Sequence, residues 1–281
     1  MENWNLRVPT SVAAFDSIVK GGIPLGSVVL LVGEPGAGNV EFAYTSVSRL
    51  NIARLNPERR KMILGHYSEE NTYLPEKTCY PTFCRSEEEI LMDVRLSFNE
   101  DIYNAFKENL EFKDLSKLYF AKSIVPKNWF EEDYKSFLKS EKKDVLSEFV
   151  KYLDNNLEES VVIVDSLTDL ITSPYVDNND LVEVIKGLQR FSKKKNTIIY
   201  ILMTENIGEK QVEQMLYDAV DGVLVFEWSR NIKKSSHIHR YMYVLKFTGL
   251  MSHLDKEHIA RFDTILNPMD GFVVTSMQKI R

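Results

Sequence analysis

The chain has 281 residues, of which 44% are hydrophobic and 11% aromatic, so it can bury a sizeable core as one large domain or two small ones. Its net charge of −6 and isoelectric point near 5.5 argue against a protein built mainly to grip nucleic acid or an anionic membrane surface. We recognise no signal peptide, and no uncharged apolar run reaches the roughly 18 residues of a membrane span. These observations predict a soluble, cytoplasmic protein without a membrane partner.

Short apolar runs alternate with amphipathic stretches from Val28 to Tyr200. Runs of consecutive apolar residues are typical of parallel strands that are covered on both faces, and amphipathic stretches between them predict helices. The predicted strands are Val28–Val32, Lys61–His66, Lys117–Ser123, Ser160–Asp165 and Thr197–Met203, and the predicted helices are Val40–Leu55, Glu87–Phe98, Val145–Asn155 and Leu181–Lys193.

The pattern changes after Ala219, where runs separated by turns predict antiparallel strands: Gly222–Trp228, His237–Phe247, His258–Leu266 and Phe272–Ile280. We expect an α/β fold with a mainly parallel central sheet, helices on both faces, and these C-terminal strands extending the sheet. The prediction is a single domain, with a lead-in (1–27), a parallel α/β core (28–218) and an antiparallel extension (219–281).

The segment 126–144 carries balanced charges and five large apolar side chains at helical spacing: Trp129, Phe130, Tyr134, Phe137 and Leu138. A helix packed on the protein's own core is the preferred interpretation. A docking surface for a partner helix is the alternative.

The two cysteines, Cys79 and Cys84, flank Pro81. A structural zinc site takes four Cys or His ligands, and no second pair stands near them in the sequence. We therefore predict two free thiols in a loop. His237 and His239 would share a face of a strand, but without an evident third ligand a surface hairpin is favoured.

A glycine-rich stretch follows the first predicted strand: Gly33-Glu34-Pro35-Gly36-Ala37-Gly38-Asn39-Val40. It has the Gly-x₄-Gly frame of a phosphate-binding loop, in which backbone N–H groups and the following helix terminus hold phosphate. Such a loop continues with a lysine for the phosphates and a Ser or Thr hydroxyl for magnesium. Here the two positions hold Asn39 and Val40, so an amide and an isopropyl group replace the charged and metal-binding groups.

Acidic residues follow two other predicted strands. Glu69 and Glu70 come after the second strand, and Asp165 ends the fourth. Ligands of open α/β sheets bind at the carboxyl ends of strands, where a glutamate can polarise an attacking water and Asp165 can face Mg²⁺. Thr204-Glu205 ends the fifth strand as a polar tip able to sense a γ-phosphate. The alternatives are a solvated acidic turn for Glu69 and Glu70 and a helix cap for Asp165.

With these motifs the chain resembles the KaiC-like branch of the RecA-superfamily ATPases over nearly its whole length. The resemblance implies a RecA-like P-loop fold and an ATP-driven switch or remodeller, often ring-shaped, in which one subunit's ATP sits against its neighbour. It rests on Phe15–Gly26, Gly33–Gly38, Ser68-Glu69-Glu70, Val161–Thr168, Ala219–Val223, Tyr241–Lys246 with Gly249 and His253, and Asp270–Val274.

The resemblance also implies roles for individual residues. Glu69 and Glu70 match the catalytic acidic pair, and Asp165 matches the Walker B aspartate that faces Mg²⁺. Lys246 matches the lysine of a finger that reaches a neighbour's phosphate, while Thr248 stands where that finger has an arginine. Such a finger is worth ~10³–10⁵ in rate where it acts.

The groups that would neutralise phosphate or hold magnesium are missing, while the acidic groups are kept. We therefore predict a regulatory or protein-interaction pseudo-ATPase that binds nucleotide weakly or not at all. One alternative is an active ATPase with a non-standard site, in which ATP and Mg²⁺ are bound and a displaced lysine such as Lys20 supplies the charge. The other is a recombinase-like DNA-binding or repair accessory protein.

The charge of two predicted loops argues against nucleic acid as the partner. Ser173–Asp180 contains two aspartates and no basic residue, and Glu205–Asp218 contains four acidic residues against Lys210. DNA affinity comes largely from neutralising phosphates, so these loops would repel it. The expected partners are proteins, in a homo-oligomer or in a mixed assembly with an active relative.

Overall fold

The computed structural model describes residues 5–64, 69–126, 129, 144–229, 239–252 and 259–279. Most of the segment 126–144, together with Ser68, His237 and His253, lies outside the described residues. The strands are β1 (Arg7–Val8), β2 (Ile23–Pro24), β3 (Val28–Gly33), β4 (Lys77–Thr82), β5 (Leu110–Asp114), β6 (Ser160–Val164), β7 (Ile198–Thr204), β8 (Gly222–Trp228), β9 (Arg240–Phe247), β10 (Ile259–Asn267) and β11 (Gly271–Lys279).

Helices surround these strands. In chain order they are α1 (Ala13–Ile18), α2 (Asn39–Leu55), α3 (Pro57–Leu64), α4 (Glu87–Ser97), α5 (Glu100–Lys107), α6 (Ser116–Phe120), α7 (Val145–Asn156), α8 (Leu167–Thr172), α9 (Asn178–Lys195) and α10 (Lys210–Ala219). Within the described ranges, no helix is long and apolar enough to cross a membrane.

Nine strands form one sheet in the order β11-β10-β9-β8-β3-β7-β6-β4-β5, and β1 pairs with β2 beside it. The six strands from β8 to β5 in this order run parallel, and β9, β10 and β11 continue the sheet antiparallel. The predicted α/β fold with an antiparallel C-terminal extension is confirmed.

The sheet is buried on both faces, as its apolar strands predict. Along β3, Val29 and Leu31 belong to the core beneath α2, α4 and α5. Val28, Leu30 and Val32 belong to the opposite core, beneath α7, α8, α9 and α10. The sheet therefore separates the helices on one face from the helices on the other.

The predicted strand Lys61–His66 is wrong, because α3 extends through its first residues to Leu64. Helix-start chemistry decides the local structure: Asn56 Oδ1 accepts the N–H groups of Glu58 and Arg59, at 3.1 Å each, and Pro57 is the first helical residue. The apolar residues at the end of the run are buried against α2 and α5 as helical positions rather than strand positions.

The predicted strand Lys117–Ser123 is also wrong, because its first part forms α6. The strand in this region is β5, which pairs with β4 at the edge of the sheet. Leu110 and Phe112 alternate with charged residues there, and a single short alternation of this kind is a weak strand signal.

β4 is a second strand that the sequence patterns did not predict. It lies between β6 and β5, and it contains Cys79 and Pro81. Its ladder with β6 pairs Lys77–Cys79 and ends before Pro81, which has no N–H to donate. Both cysteines are free thiols, as predicted, but Cys79 is buried in this strand rather than in a loop.

Asp16 on α1 is a buried carboxylate with a pH-dependent effect on stability. It accepts hydrogen bonds from Thr10 N–H (2.9 Å), Thr10 Oγ1 (2.7 Å) and Ser11 N–H (2.8 Å). Burial raises its pKa from 3.8 to about 6, although the hydrogen bonds lower it. The folded chain therefore holds a proton, between about pH 4 and 6, that the unfolded chain releases, so stability falls as pH rises through this window.

We expect this carboxyl group to lower the free energy of unfolding by on the order of 2 kcal/mol between about pH 4 and pH 7. Urea unfolding of the native chain and of Asp16→Ala at both pH values measures the difference. The variant should lose this part of the pH dependence. An unchanged pH dependence in Asp16→Ala would show that the carboxyl group is ionised in the folded chain.

Candidate functional site

The glycine-rich loop leaves the centre of the sheet. It joins the carboxyl end of β3 at Gly33 to the amino end of α2 at Asn39, and β3 lies between β7 and β8. Gly36 (φ +74°) and Gly38 (φ +109°) have a left-handed backbone that other residues rarely adopt. The first N–H groups of a helix have no intrahelical partner, so the backbone geometry of an anion cradle is present.

Asn39 turns away from the loop into the core. Its Nδ2 donates to the carbonyl oxygen of Leu31 at 3.2 Å, and the residue is only 9% exposed. A Cβ atom on Gly33 would lie 2.6 Å from Asn39 Cγ, so the side chain fills the space beneath the loop. Val40 is half-buried and packs against the core. Neither side chain offers a positive charge or an oxygen atom at the surface of the loop.

Residues from distant strands hold the tip of the loop. The backbone N–H of Trp228 donates to Glu34 Oε2 (3.0 Å), and its indole Nε1 donates to the carbonyl oxygen of Pro35 (3.1 Å). Arg240 Nε donates to the carbonyl oxygen of Gly36 (2.9 Å), and its guanidinium lies 4.1 Å from the centroid of the Trp228 ring. The loop is therefore fixed by the chain itself, through β8 and β9.

The predicted polar tip at Thr204-Glu205 lies beside the loop. Glu205 N–H donates to the carbonyl oxygen of Gly33 at 3.1 Å, and Thr204 N–H donates to Thr168 Oγ1 at 2.8 Å. A cleft of about 450 Å³ opens next to it. Among the residues that the structure describes, the ionisable side chains of the cleft are Glu34, Glu205, Glu227, Tyr241 and Arg261. These described walls carry three carboxylates and one guanidinium, which is an unfavourable setting for phosphate groups.

Asp165 follows β6, and its carboxylate is engaged by two side chains from the region of β4. Its Oδ2 accepts a hydrogen bond from Tyr80 Oη (2.8 Å) and lies 3.9 Å from Arg85 Nη1. The Tyr80 hydroxyl on β4 also lies 3.2 Å from Tyr44 Oη on α2. Burial raises the pKa of Asp165, while the Tyr80 hydrogen bond and the Arg85 charge lower it. The residue that caps α8 is Ser166, so the helix-cap interpretation of Asp165 is wrong.

Arg85 is a site residue that the sequence did not reveal. It comes three residues after the end of β4, the strand beside β6, and it forms a second ion pair with Asp93 on α4. Because β4 was not recognised, nothing in the sequence indicated that a guanidinium would stand at this carboxyl edge. The only available signal was the strand-like alternation through Thr78 and Tyr80.

Glu69 and Glu70 lie elsewhere than predicted. They belong to a short 3₁₀ turn that precedes β4, and the described element before this turn is the helix α3, which ends at Leu64. The chain then leads to the amino ends of the strands, where Glu76 N–H donates to the carbonyl oxygen of Glu159. Asp165 stands at the opposite, carboxyl end of β6. The catalytic role assigned to the two glutamates stays a prediction, and this placement does not favour it.

Comparisons with known proteins bear on the fold. No protein-family model and no curated protein matches the sequence. The solved structure of a KaiC-like protein from the hyperthermophilic archaeon Pyrococcus horikoshii OT3 matches with a TM-score of 0.57 over 96% of this chain and 99% of the other. This chain has a KaiC-like RecA fold. The two sequences are 18% identical, so the match concerns the KaiC-like fold and leaves the activity open.

Lys246, the finger residue of the KaiC-like resemblance, is held within its own chain. Its Nζ donates to the carbonyl oxygens of Tyr217 (3.0 Å) and Asp218 (2.8 Å), at the end of α10. A lysine at a helix C-terminus is stabilised by the helix dipole and by carbonyls that lack an intrahelical partner. To reach a neighbouring subunit, Lys246 would first have to break both hydrogen bonds.

The described side chains at the glycine-rich loop and at Asp165 do not fit the Mg²⁺–ATP that a KaiC-like fold implies. The Asn39 side chain donates a hydrogen bond to the Leu31 carbonyl oxygen on β3. The Asp165 carboxylate accepts a hydrogen bond from Tyr80 and lies close to the Arg85 guanidinium. Magnesium demands oxygen ligands, and Val40 offers none. Among the described residues, no group of three or more His, Cys, Asp or Glu side chains is arranged to hold a metal ion.

Proposed function

We propose that this chain is a pseudo-ATPase that keeps the KaiC-like fold as a regulatory or protein-interaction module and binds nucleotide weakly or not at all. The observation that carries the proposal is the guanidinium of Arg85, 3.9 Å from Asp165. It supplies the positive charge at the carboxyl edge that a metal ion would supply in an active site. No carboxylate that could act as a general base follows β4 directly, because Phe83, Cys84 and Arg85 come next.

The electrostatics of the loop support this proposal. ATP carries several negative charges, and effective phosphate stabilisation needs donors that are already in place. The Asn39 amide is neutral and directed at Leu31, while the adjoining cleft presents Glu34 and Glu205. Losing the lysine and a finger arginine removes groups that are worth orders of magnitude in phosphoryl transfer.

Titration calorimetry with ATP and Mg²⁺ tests the proposal, with ADP and magnesium-free ATP as controls. We expect a dissociation constant of about a millimolar or weaker for every nucleotide. Micromolar binding that depends on magnesium would overturn the proposal and favour an active ATPase with a non-standard site. Lys20→Met would then show whether that exposed lysine supplies the missing charge.

The paired substitution Asn39→Lys with Val40→Thr is expected to tighten ATP binding by about tenfold or more, which corresponds to about 1.4 kcal/mol. The lysine restores a positive charge next to the loop, and the threonine restores a hydroxyl group for magnesium. The matched control is Asn39→Gln with Val40→Ala, which changes both positions without adding charge or a hydroxyl. Equal affinities for the two double variants would mean that these positions do not limit the site.

A further inference from the structure

A pocket of about 310 Å³ lies where three distant parts of the chain meet. Its described walls come from the segment that leads into α1 and the start of that helix, from α2, and from β11 with the turn before it. On α2 the lining residue is Arg49, which lies about 15 Å along the helix from Asn39. The pocket is therefore separate from the glycine-rich loop.

Apolar side chains form most of the described walls. They are Val12, Ala13, Ala14, Phe272, Val273 and Val274. Val12 and Phe272 belong to the core on the α2 side of the sheet, while Ala13 and Ala14 present only methyl groups and leave room between α1 and β11. The volume is at the low end for ligand sites, so the pocket fits a small aliphatic group rather than a large ligand.

Arg49 brings a positive charge into this apolar setting. Its side chain is 23% exposed, and Nη1 donates to the carbonyl oxygen of Ser11 at 3.1 Å. Among the described residues, the carboxylate within ion-pair distance is that of Asp270, whose Oδ1 lies 3.5 Å from Nη2. A guanidinium and a carboxylate in a hydrogen bond are usually about 2.7–2.9 Å apart, so this pair is loose. Burial lowers the pKa of Arg49, the charge of Asp270 raises it, and the charge of Arg59 lowers it.

Asp270 is held in its own turn and can leave Arg49 at little cost. Its Oδ2 accepts a hydrogen bond from Asn267 Nδ2 at 2.9 Å, and its side chain is 56% exposed. An ion pair with one partner in solvent contributes little to stability. Ser11, whose carbonyl oxygen Arg49 binds, also has a buried hydroxyl group without a hydrogen-bond partner among the described residues. The polar groups in this corner of the fold therefore have more bonding capacity than the described chain uses.

The charge and the walls together favour a carboxylate that carries a short aliphatic group. A planar guanidinium can bind both oxygens of a carboxylate side by side. A phosphate group carries up to two negative charges, and here it would meet Asp270 beside the one guanidinium of the described walls. The singly charged carboxylate suffers less from this repulsion, and its aliphatic part can pack on the valines and alanines of the pocket.

The pocket adjoins an edge of the sheet. β11 is the last strand in the sheet order, and its described pairing is with β10. Val273 and Val274 of this strand are partly buried in the pocket wall, and the strand becomes exposed from Thr275 onward. An extended peptide can add to such an edge through backbone hydrogen bonds. A small free acid has no backbone amide groups with which to do so.

We propose that this pocket binds the C-terminal end of a partner polypeptide whose last residue has a small aliphatic side chain. The terminal carboxylate replaces that of Asp270 on Arg49, and the aliphatic side chain packs between α1 and β11. The preceding peptide backbone runs along the edge of β11. The site lies outside the glycine-rich loop, so the proposal holds whether or not nucleotide binds there.

Methyl NMR of the full chain, titrated with an acetylated tetrapeptide that ends in valine, tests the proposal. We expect a dissociation constant of about a millimolar or tighter. The methyl signals of Val12, Val273 and Val274 should shift, whereas those of Val164, in the core on the other face of the sheet, should not. The same peptide with a C-terminal amide should bind about tenfold more weakly or worse, because it lacks the charge that Arg49 recognises.

Two substitutions at the ion pair are expected to act in opposite directions. Arg49→Gln removes the positive charge and should weaken peptide binding by about tenfold or more. Asp270→Asn removes the competing charge but keeps an oxygen for Asn267, so it should tighten binding by up to about fivefold. Arg190→Gln is the matched control, because Arg190 is exposed on α9, on the other face of the sheet. A merely structural ion pair would make both substitutions weaken binding.

Isovalerate distinguishes a polypeptide end from a small free acid. We expect it to bind about tenfold more weakly than the peptide, since it cannot pair with β11. Equal affinities for isovalerate and the peptide would overturn the assignment to a polypeptide. Equal binding of the acid and amide peptides, shifts that miss the pocket valines, or weaker binding by Asp270→Asn would overturn the site itself. Circular dichroism of each variant verifies that the fold is kept.

Discussion

Phe42→Ala is expected to lower the free energy of unfolding by about 3–5 kcal/mol, the range for removing a large buried aromatic side chain. Phe42 is fully buried on α2, the helix that begins at the glycine-rich loop. Its ring centroid lies 5.4–6.3 Å from those of four other aromatic residues, which come from α1, β7, β8 and β11: Phe15, Tyr200, Phe226 and Phe272. The surroundings cannot collapse into the cavity without moving elements from both ends of the chain.

Urea unfolding followed by tryptophan fluorescence and by circular dichroism measures the loss. Met62→Ala is the matched control, because Met62 lies on the next helix, α3, and is 74% exposed. We expect the control to change stability by no more than about 0.5 kcal/mol. A loss below about 1 kcal/mol for Phe42→Ala would mean that this cluster is loosely packed and that α2 is not anchored through it.

The same aromatic cluster also packs against the glycine-rich loop. A Cβ atom on Gly38 would lie 3.0 Å from the Phe272 ring, so β11 packs directly against the turn that starts α2. Phe272 N–H also donates to Thr45 Oγ1 on α2, at 2.8 Å. The C-terminal strands thus do more than extend the sheet, since they also hold the amino end of the helix in place.

Strands in the centre of the sheet could be predicted from the sequence because they are apolar at consecutive positions. Val28–Gly33 and Ile198–Thr204 are buried on both faces, and that burial leaves an unbroken apolar run. The outer parallel strands lack this signal. β4 contains Pro81, and β5 is an edge strand in which charged residues alternate with apolar ones, so neither resembles the central strands.

The candidate site was predictable only where its chemistry is local in sequence. The Gly-x₄-Gly frame and the replacement of two side chains at Asn39 and Val40 are visible in eight consecutive residues. The direction in which Asn39 points, toward Leu31, depends on packing. The contacts that Trp228 and Arg240 make with the loop join residues about two hundred positions apart, and no periodic pattern records them.

The predicted position of the acidic pair depends on the predicted strand before it. A strand at Lys61–His66 would place Glu69 and Glu70 at the carboxyl edge of the sheet, but this segment begins as the end of α3. The helix-start chemistry at Asn56-Pro57 is the local signal that could have prevented this, since it predicts that a helix begins there. The second parallel strand in chain order is β4, and the residue after it that lies close to Asp165 is Arg85.

Arg85→Ala is expected to destabilise the fold by about 2 kcal/mol, between the values for exposed and for buried ion pairs, because the pair is partly exposed. The guanidinium is 32% exposed, whereas the Asp165 side chain is 13% exposed and would lose its nearby positive charge. Burial already raises the pKa of Asp165, and the Arg85 charge opposes that effect. Without Arg85 the pKa of Asp165 should rise further, so the variant should lose more stability than the native chain as pH increases above the pKa of about 4 of an ordinary aspartate.

A double-mutant cycle with Asp165→Asn separates the ion pair from simple loss of packing. If the charge of Asp165 is what Arg85 neutralises, Arg85→Ala should cost much less in the Asp165→Asn background, and its added pH dependence should disappear. Arg85→Lys is the conservative control, because it keeps the charge but loses the planar fork that also binds Asp93. An equal cost of Arg85→Ala in both backgrounds would show that Arg85 acts through Asp93 or through packing alone. A large interaction energy between the two substitutions would instead identify Arg85 as the counter-charge of Asp165. A positive charge from the chain itself would then explain how this fold is stable without Mg²⁺–ATP.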